Sequence, residues 1–145
     1  MIRAVFGCSG GDNGSGGVKG GRSGGSYRSS RNCDSRGSYS GSGDSSGVNL
    51  DRLSITGHAG YAHSGQDIVC AAVSSAVQLT ANLLTENFGL PAEIAAEDNL
   101  IFIGRGRTGE RDLDTFYRVM EGLRTHLQLI AENYPGTIKI TYTEV

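Results

Sequence analysis

The chain has no large excess of charge of either sign, no pair of cysteines at metal-binding spacing and no long unbroken apolar run. A formal net charge of -2 argues against a general nucleic-acid or membrane-surface binder. The three cysteines, Cys8, Cys33 and Cys70, are an odd count without a C-x-x-C pair. Neither a zinc knuckle nor a disulfide framework is expected, and no metal or cofactor is implied. No apolar run approaches the ~18 residues of a membrane-spanning helix. Met1 to Phe6 is too short for a signal peptide and lacks a cleavage site. The expectation is a cytoplasmic protein.

What the chain has in quantity is glycine, 23 residues, concentrated with serine between about Cys8 and Gly47. That tract holds almost no large apolar side chain and cannot bury enough surface to offset its ordering entropy. We therefore expect it to be disordered, with Cys8 and Cys33 exposed. Its charges are Lys19, Arg22, Arg28, Arg31 and Arg36 against Asp12, Asp34 and Asp44, with Tyr27 and Tyr39 among them. Weak nucleic-acid contact is one reading of that balance; a flexible inserted loop is the simpler one. Closure entropy grows only with the logarithm of loop length, so residues 2–6 can still pair with the chain beyond the tract. Without the tract about a hundred residues remain, enough for one modest core that oligomerisation can help to stabilise. Residues 1–145 thus read as one domain interrupted at about 8–47.

Residues 2–6 are expected to form a short strand. From Val48 to Gly57, Leu50, Arg52, Ser54 and Thr56 alternate with Asp51, Leu53 and Ile55, the pattern of a second strand. A loop with Gly57, Gly60 and Gly65 comes next. Asp67 is a good N-cap for an Ala-, Val- and Leu-rich helix to about Asn87, stopped by Gly89 and Pro91. Strands are expected at 92–97 and 99–104, turned by Glu97-Asp98-Asn99. A second helix is expected after Asp112, ending at Tyr134-Pro135-Gly136. Its residues Leu113, Phe116, Met120, Leu123, Leu127, Ile130 and Tyr134 step alternately by three and four, marking a packed face. Ile138, Ile140 and Tyr142 alternate in a last strand. The order β-β-α-β-β-α-β implies a two-layer α/β (α+β) domain with a largely antiparallel sheet and two helices.

Cys70 falls in the first turn of the helix that Asp67 caps. Unpaired N–H groups and the positive dipole end there favour thiolate and can stabilise an oxyanion. A lone cysteine is also an ordinary core residue. His58, where a strand ends and a glycine-rich loop begins, can reach Cys70 if the loop folds back. It would then act as base and acid toward the thiol. His63, in mid-loop, is a rival base, and His126 on the second helix lies off the apolar seam. Asp67 either caps the helix or orients His58. Ser74, one turn beyond Cys70, either donates near the sulfur or bonds its own backbone at residue 70.

Gly104-Arg105-Gly106-Arg107-Thr108-Gly109 matches G-x-G-x-x-G. A dinucleotide fold would start its helix within the glycines and cross over to a parallel strand. Here the preceding strand reads as half of a hairpin. A loop with two exposed arginines is the expected alternative.

Gly57-His58-Ala59-Gly60-Tyr61-Ala62, followed by Gly65-x-Asp67-Ile68-Val69-Cys70-Ala71-Ala72-Val73-Ser74, closely resembles the signature of the ribosomal-processing cysteine protease family, Prp. The likeness runs from about Val48 to the C-terminus, plus Met1 to Phe6. The resemblance implies a catalytic dyad of His58 and Cys70, supported by Asp67 and Ser74, in a homodimer. It also implies a mobile loop between His and Cys, hinged at Gly57 with Gly60 and Gly65 along it. The implied activity is a cysteine endopeptidase that removes the N-terminal extension of large-subunit ribosomal protein number twenty-seven. The insertion at 8–47 departs from the family's short turn. Rival readings are a non-catalytic ribosome-associated binding module, and RNA binding through the arginine-bearing tract.

Overall fold

A computed structural model describes residues 1–9, 49–63, 65–97, 99–107 and 109–144. The expected disorder of the glycine–serine tract, and the exposure of Cys33, lie outside these residues. Strands β1 (Ile2–Ser9) and β2 (Asn49–Thr56) precede helix α1 (Ile68–Asn82), which a π-helical turn, Leu83–Asn87, continues. Strands β3 (Ala92–Glu97) and β4 (Leu100–Arg105), helix α2 (Glu110–Asn133) and strand β5 (Ile138–Glu144) complete the order. The sheet order is β3-β4-β2-β1-β5. β5 runs parallel to β1, and the other three pairings are antiparallel. This is the α+β fold that the order of elements predicts.

β1 is longer than its apolar residues suggest and continues through Cys8 to Ser9, which pairs with Asn49. Cys8 is buried, not exposed as expected, because even-numbered residues of β1 point into the core: Ile2, Ala4, Phe6 and Cys8 are all 3% exposed or less. The register between β1 and β2 shifts after Gly7, which faces Arg52, while Cys8 faces Leu50. The extra residue in β2 is Asp51. Such a bulge reverses the alternation of side chains. It explains why Leu50 joins Leu53 and Ile55 in the core instead of lying opposite them.

The α2 seam packs as its spacing predicts. Phe116, Met120, Leu123, Leu127 and Ile130 are buried in one cluster with Val69, Val73 and Val77 of α1 and the inner residues of β1 and β2. α2 begins at Glu110, directly after Gly109 and three residues earlier than expected. The glycines before it serve close packing: a Cβ on Gly106 would stand 1.9 Å from the Pro91 carbonyl oxygen. β4 pairs antiparallel on both sides, which removes the dinucleotide reading. Arg105 belongs to β4, not to an exposed loop. Its Nε lies 3.3 Å from the buried Asp51 carboxylate, and its Nη1 donates to Tyr117 Oη at 2.9 Å.

The absence of an unbroken apolar run does not make α1 polar on average. The 20 residues Ile68–Asn87 include an 18-residue stretch of mean hydropathy 1.6, long and apolar enough by length and composition to span a membrane. Scattered Ser, Thr and Gln residues break it as an uninterrupted run without lowering its average far. Val69, Val73, Val77 and Leu84 pack it into the core.

Candidate active site

The loop between β2 and α1 turns through three left-handed glycines, Gly57 (φ 84°), Gly60 (φ 67°) and Gly65 (φ 83°). Gly57 is needed for a second reason: a Cβ there would sit 2.8 Å from the Met1 carbonyl oxygen. The chain can therefore leave β2 against β1 and fold back over the start of α1 only without a side chain at this position.

Asp67 is the N-cap of α1. Its Oδ1 accepts from the Val69 and Cys70 N–H groups, both at 3.0 Å. Its Oδ2 accepts from the loop, from Tyr61 N–H at 3.0 Å and Ala62 N–H at 3.5 Å. The Cys70 N–H above all holds this carboxyl below the usual Asp range, and the other three donors add to the effect. The two expected readings thus resolve: Asp67 caps the helix and clamps the loop, and no hydrogen bond joins it to His58. The Val69 and Cys70 N–H groups, expected to be open to an oxyanion, are occupied by the cap.

The loop does fold back. Ala59, 6% exposed, donates its N–H to Cys70 Sγ at 3.2 Å. Tyr61 sets its ring edge-on against Tyr134 at the end of α2, centroids 5.2 Å apart. Cys70 is half-buried. It shares an open cleft of about 190 Å³ with His58, Ser74 and Gly57. Apolar walls come from Ile2, Ile55, Val73, Leu100 and Ile101, and the rim from Glu97 and Asn99.

Within this cleft His58 is exposed, and no hydrogen bond joins it to Cys70 in this conformation. Ser74 is exposed and makes neither of the two bonds expected of it. His63 is outside the cleft; its carbonyl accepts from Gln66 N–H at 2.9 Å. His126 lies on an outward face of α2, over a groove shared with α1. Among the described residues no group of three His, Cys, Asp or Glu side chains is placed to hold a metal.

Sequence reasoning missed Ala59, Glu97 and Asn99. An alanine offers only its backbone, so no residue type announced the donor. Glu97 and Asn99 were legible as a turn, and Asn99 takes the left-handed φ of 65° that such a turn favours. What the turn overhangs depends on β4 pairing with β2, a long-range event.

The family profile described as cysteine protease Prp matches residues 45–139. Solved structures share the fold. An essential ribosomal processing protease Prp from S. aureus, in complex with a covalently linked product peptide, superposes with a TM-score of 0.64 at 18% identity. The match covers 99% of this chain and 100% of that one. SMU.848 from Streptococcus mutans gives 0.61 at 20% identity over 100% and 96% of the two chains. The S. aureus protease with a substrate peptide gives 0.61 at 16% over 99% and 100%. A search of the curated proteins finds no match.

Proposed function

This chain belongs to the cysteine protease Prp family, and on that premise we propose that Cys70 is its nucleophile and His58 its general base. The observation that carries the reading is the Ala59–Cys70 contact. It puts the residue next to His58 on the sulfur, in a cleft where a thiol at a helix start meets a histidine. His58 lines the same cleft as the thiol whose proton it would take, and active-site hydrogen bonds commonly tighten only when substrate is bound. Asp67 and Ser74 are supporting residues in this scheme: the first holds the loop and the helix start together, and the second offers a hydroxyl to the peptide.

The substrate we propose is the N-terminal extension of large-subunit ribosomal protein number twenty-seven. The S. aureus neighbour's designation as a ribosomal processing protease supports that direction, and the cleft's apolar walls suit an apolar side chain of an extended peptide. A protease acting on a newly made ribosomal protein would work in the cytoplasm. We read residues 1–145 as one protease domain with the glycine–serine tract as an insertion. It leaves and re-enters the sheet at Ser9 and Asn49, the end opposite the catalytic loop.

We also propose a homodimer. Leu79 of α1 is 61% exposed. With Ala76, Leu83, Val119 and Gly122 it lines an open groove of about 480 Å³ between the two helices, which a second copy could cover.

The deciding experiment incubates the protein with the extended ribosomal protein of the same organism and reads the new N-terminus. Cleavage that survives in Cys70→Ser would sink the assignment of the nucleophile.

A further inference from the structure

A tetrahedral intermediate on Cys70 needs a hydrogen-bond donor for its oxyanion, and the N–H groups of Cys70 and its two chain neighbours are taken. The Val69 and Cys70 N–H groups are bonded to Asp67 Oδ1. The Ala71 N–H is bonded to the Asp67 carbonyl at 3.1 Å. One N–H among the described residues is directed at the sulfur, and it comes from the loop: Ala59, at 3.2 Å.

We infer that the Ala59 N–H is the oxyanion donor of this protease, brought to Cys70 by the same loop that carries His58. The inference rests on the reading of Cys70 as nucleophile. Three features fix the direction of this N–H. The Ala59 methyl is buried in the hydrophobic cluster, so the peptide plane is anchored from its side-chain end. Left-handed Gly57 and Gly60 set the chain on either side. Asp67 Oδ2 holds the next turn of the loop through Tyr61 N–H. A donor held in place before reaction loses little in reorganisation when charge develops, which is what makes such donors effective.

The donor follows the charge. At rest it faces the sulfur, the atom that carries the negative charge once the thiol proton has gone to His58. When Sγ attacks, the S–C bond forms and the carbonyl π pair moves to oxygen. That oxygen is one bond from the carbon now attached to sulfur. The inference requires that this oxygen, two bonds from the sulfur, be turned to the side of the Ala59 nitrogen, at the ~3 Å of an oxyanion hydrogen bond. On collapse the C–N bond breaks, the amine leaves with the proton from His58, and the pair returns to the thioester carbonyl. Water attack in deacylation raises a second oxyanion at the same place. Asp67 is accordingly a positioning residue: it touches no reacting atom and acts by holding the loop on the helix.

The test replaces Ala59 by lactic acid in the full chain, turning its N–H into an ester oxygen while keeping the methyl. The cleaved peptide and its aldehyde, which closes on Cys70 as a hemithioacetal, are the probes. The expected result is a fall in kcat of about 10²-fold, with KM within about twofold and the aldehyde weakened by a similar factor. In the unmodified protein the Ala59 amide proton should also move downfield in NMR when the aldehyde binds. A kcat within about threefold of the parent, a loss confined to KM, or an unmoved amide resonance would each overturn the assignment. An unmodified chain that cleaves no extended ribosomal protein would instead remove the substrate reading on which the test stands.

Discussion

Asp67 holds four backbone N–H groups on two oxygens, two from the helix and two from the loop. Because its carboxyl is held below the ordinary Asp value, its contribution to stability is full above the unfolded value of about 3.9 and is lost as pH falls through the folded one. Asp67→Asn should therefore melt lower than the parent at pH 6, and the gap in melting temperature should close below about pH 4. The same substitution should slow peptide cleavage at neutral pH by loosening the loop. For the proposed dyad, Cys70→Ala and Cys70→Ser should abolish processing and leave the circular dichroism spectrum unchanged. His58→Ala should cost on the order of 10²-fold or more in kcat if it is the general base. Iodoacetamide reports on the cysteines separately once Cys33 is removed. Cys8 is buried and should react slowly in the folded protein, so Cys70 should take the first equivalent.

At the scale of elements, the β1–β2 pair carries its bulge near the Ser9–Asn49 end. Asp51, the extra residue, buries a carboxylate whose Oδ1 accepts from Tyr117 Oη–H at 3.1 Å beside Arg105. Burial first, and then the Asp51 charge, push the Tyr117 phenol above its usual range. Asp51 Oδ2 has no protein hydrogen-bond partner. Removing Arg105 leaves the buried Asp51 charge with only the Tyr117 hydroxyl against it, which costs more than a surface pair returns. Arg105→Ala should thus lower stability clearly in urea unfolding, while Arg118→Ala, whose pair with Asp114 is exposed, should change little. α2 carries the core through its seam. Leu127→Ala, at a fully buried position, should cost about 2–5 kcal/mol, measured in the same way. The end of α2 also bears on the site, since Tyr134 supports Tyr61 of the loop. Tyr61→Ala should weaken loop closure and so lower cleavage without unfolding the domain.

For the whole molecule, the sheet divides labour between its two ends. One end gathers Gly57, the start of α1 and the β3–β4 turn around Cys70. The other carries the roots of the glycine–serine tract and the Asp51–Arg105–Tyr117 group. Deleting residues 10–48 and joining the strands by a short turn is therefore expected to leave the cleavage rate near that of the parent. The α1–α2 groove is the expected dimer contact. Leu79→Glu should move the sedimentation coefficient from dimer to monomer, because a charge placed in an apolar contact must be desolvated.

The sequence alone determined the element order, the α2 seam, the Asp67 cap and the place of Cys70 at a helix start. Each is written in local spacing or local hydrogen bonding, and the signature from Gly57 to Ser74 is itself contiguous in the chain. Tertiary structure decided the rest. Leu50 turned inward because a bulge shifted its strand, and Cys8 was buried because β1 runs on past Phe6 with its even-numbered side chains on the core face. Arg105 left the loop it was expected in because β4 runs on to pair it with Asp51. The cysteine at the helix start was legible from its cap. The N–H that meets its sulfur was not: it belongs to an alanine eleven residues earlier, placed by three left-handed glycines, a two-sided carboxylate and a methyl group buried in the core.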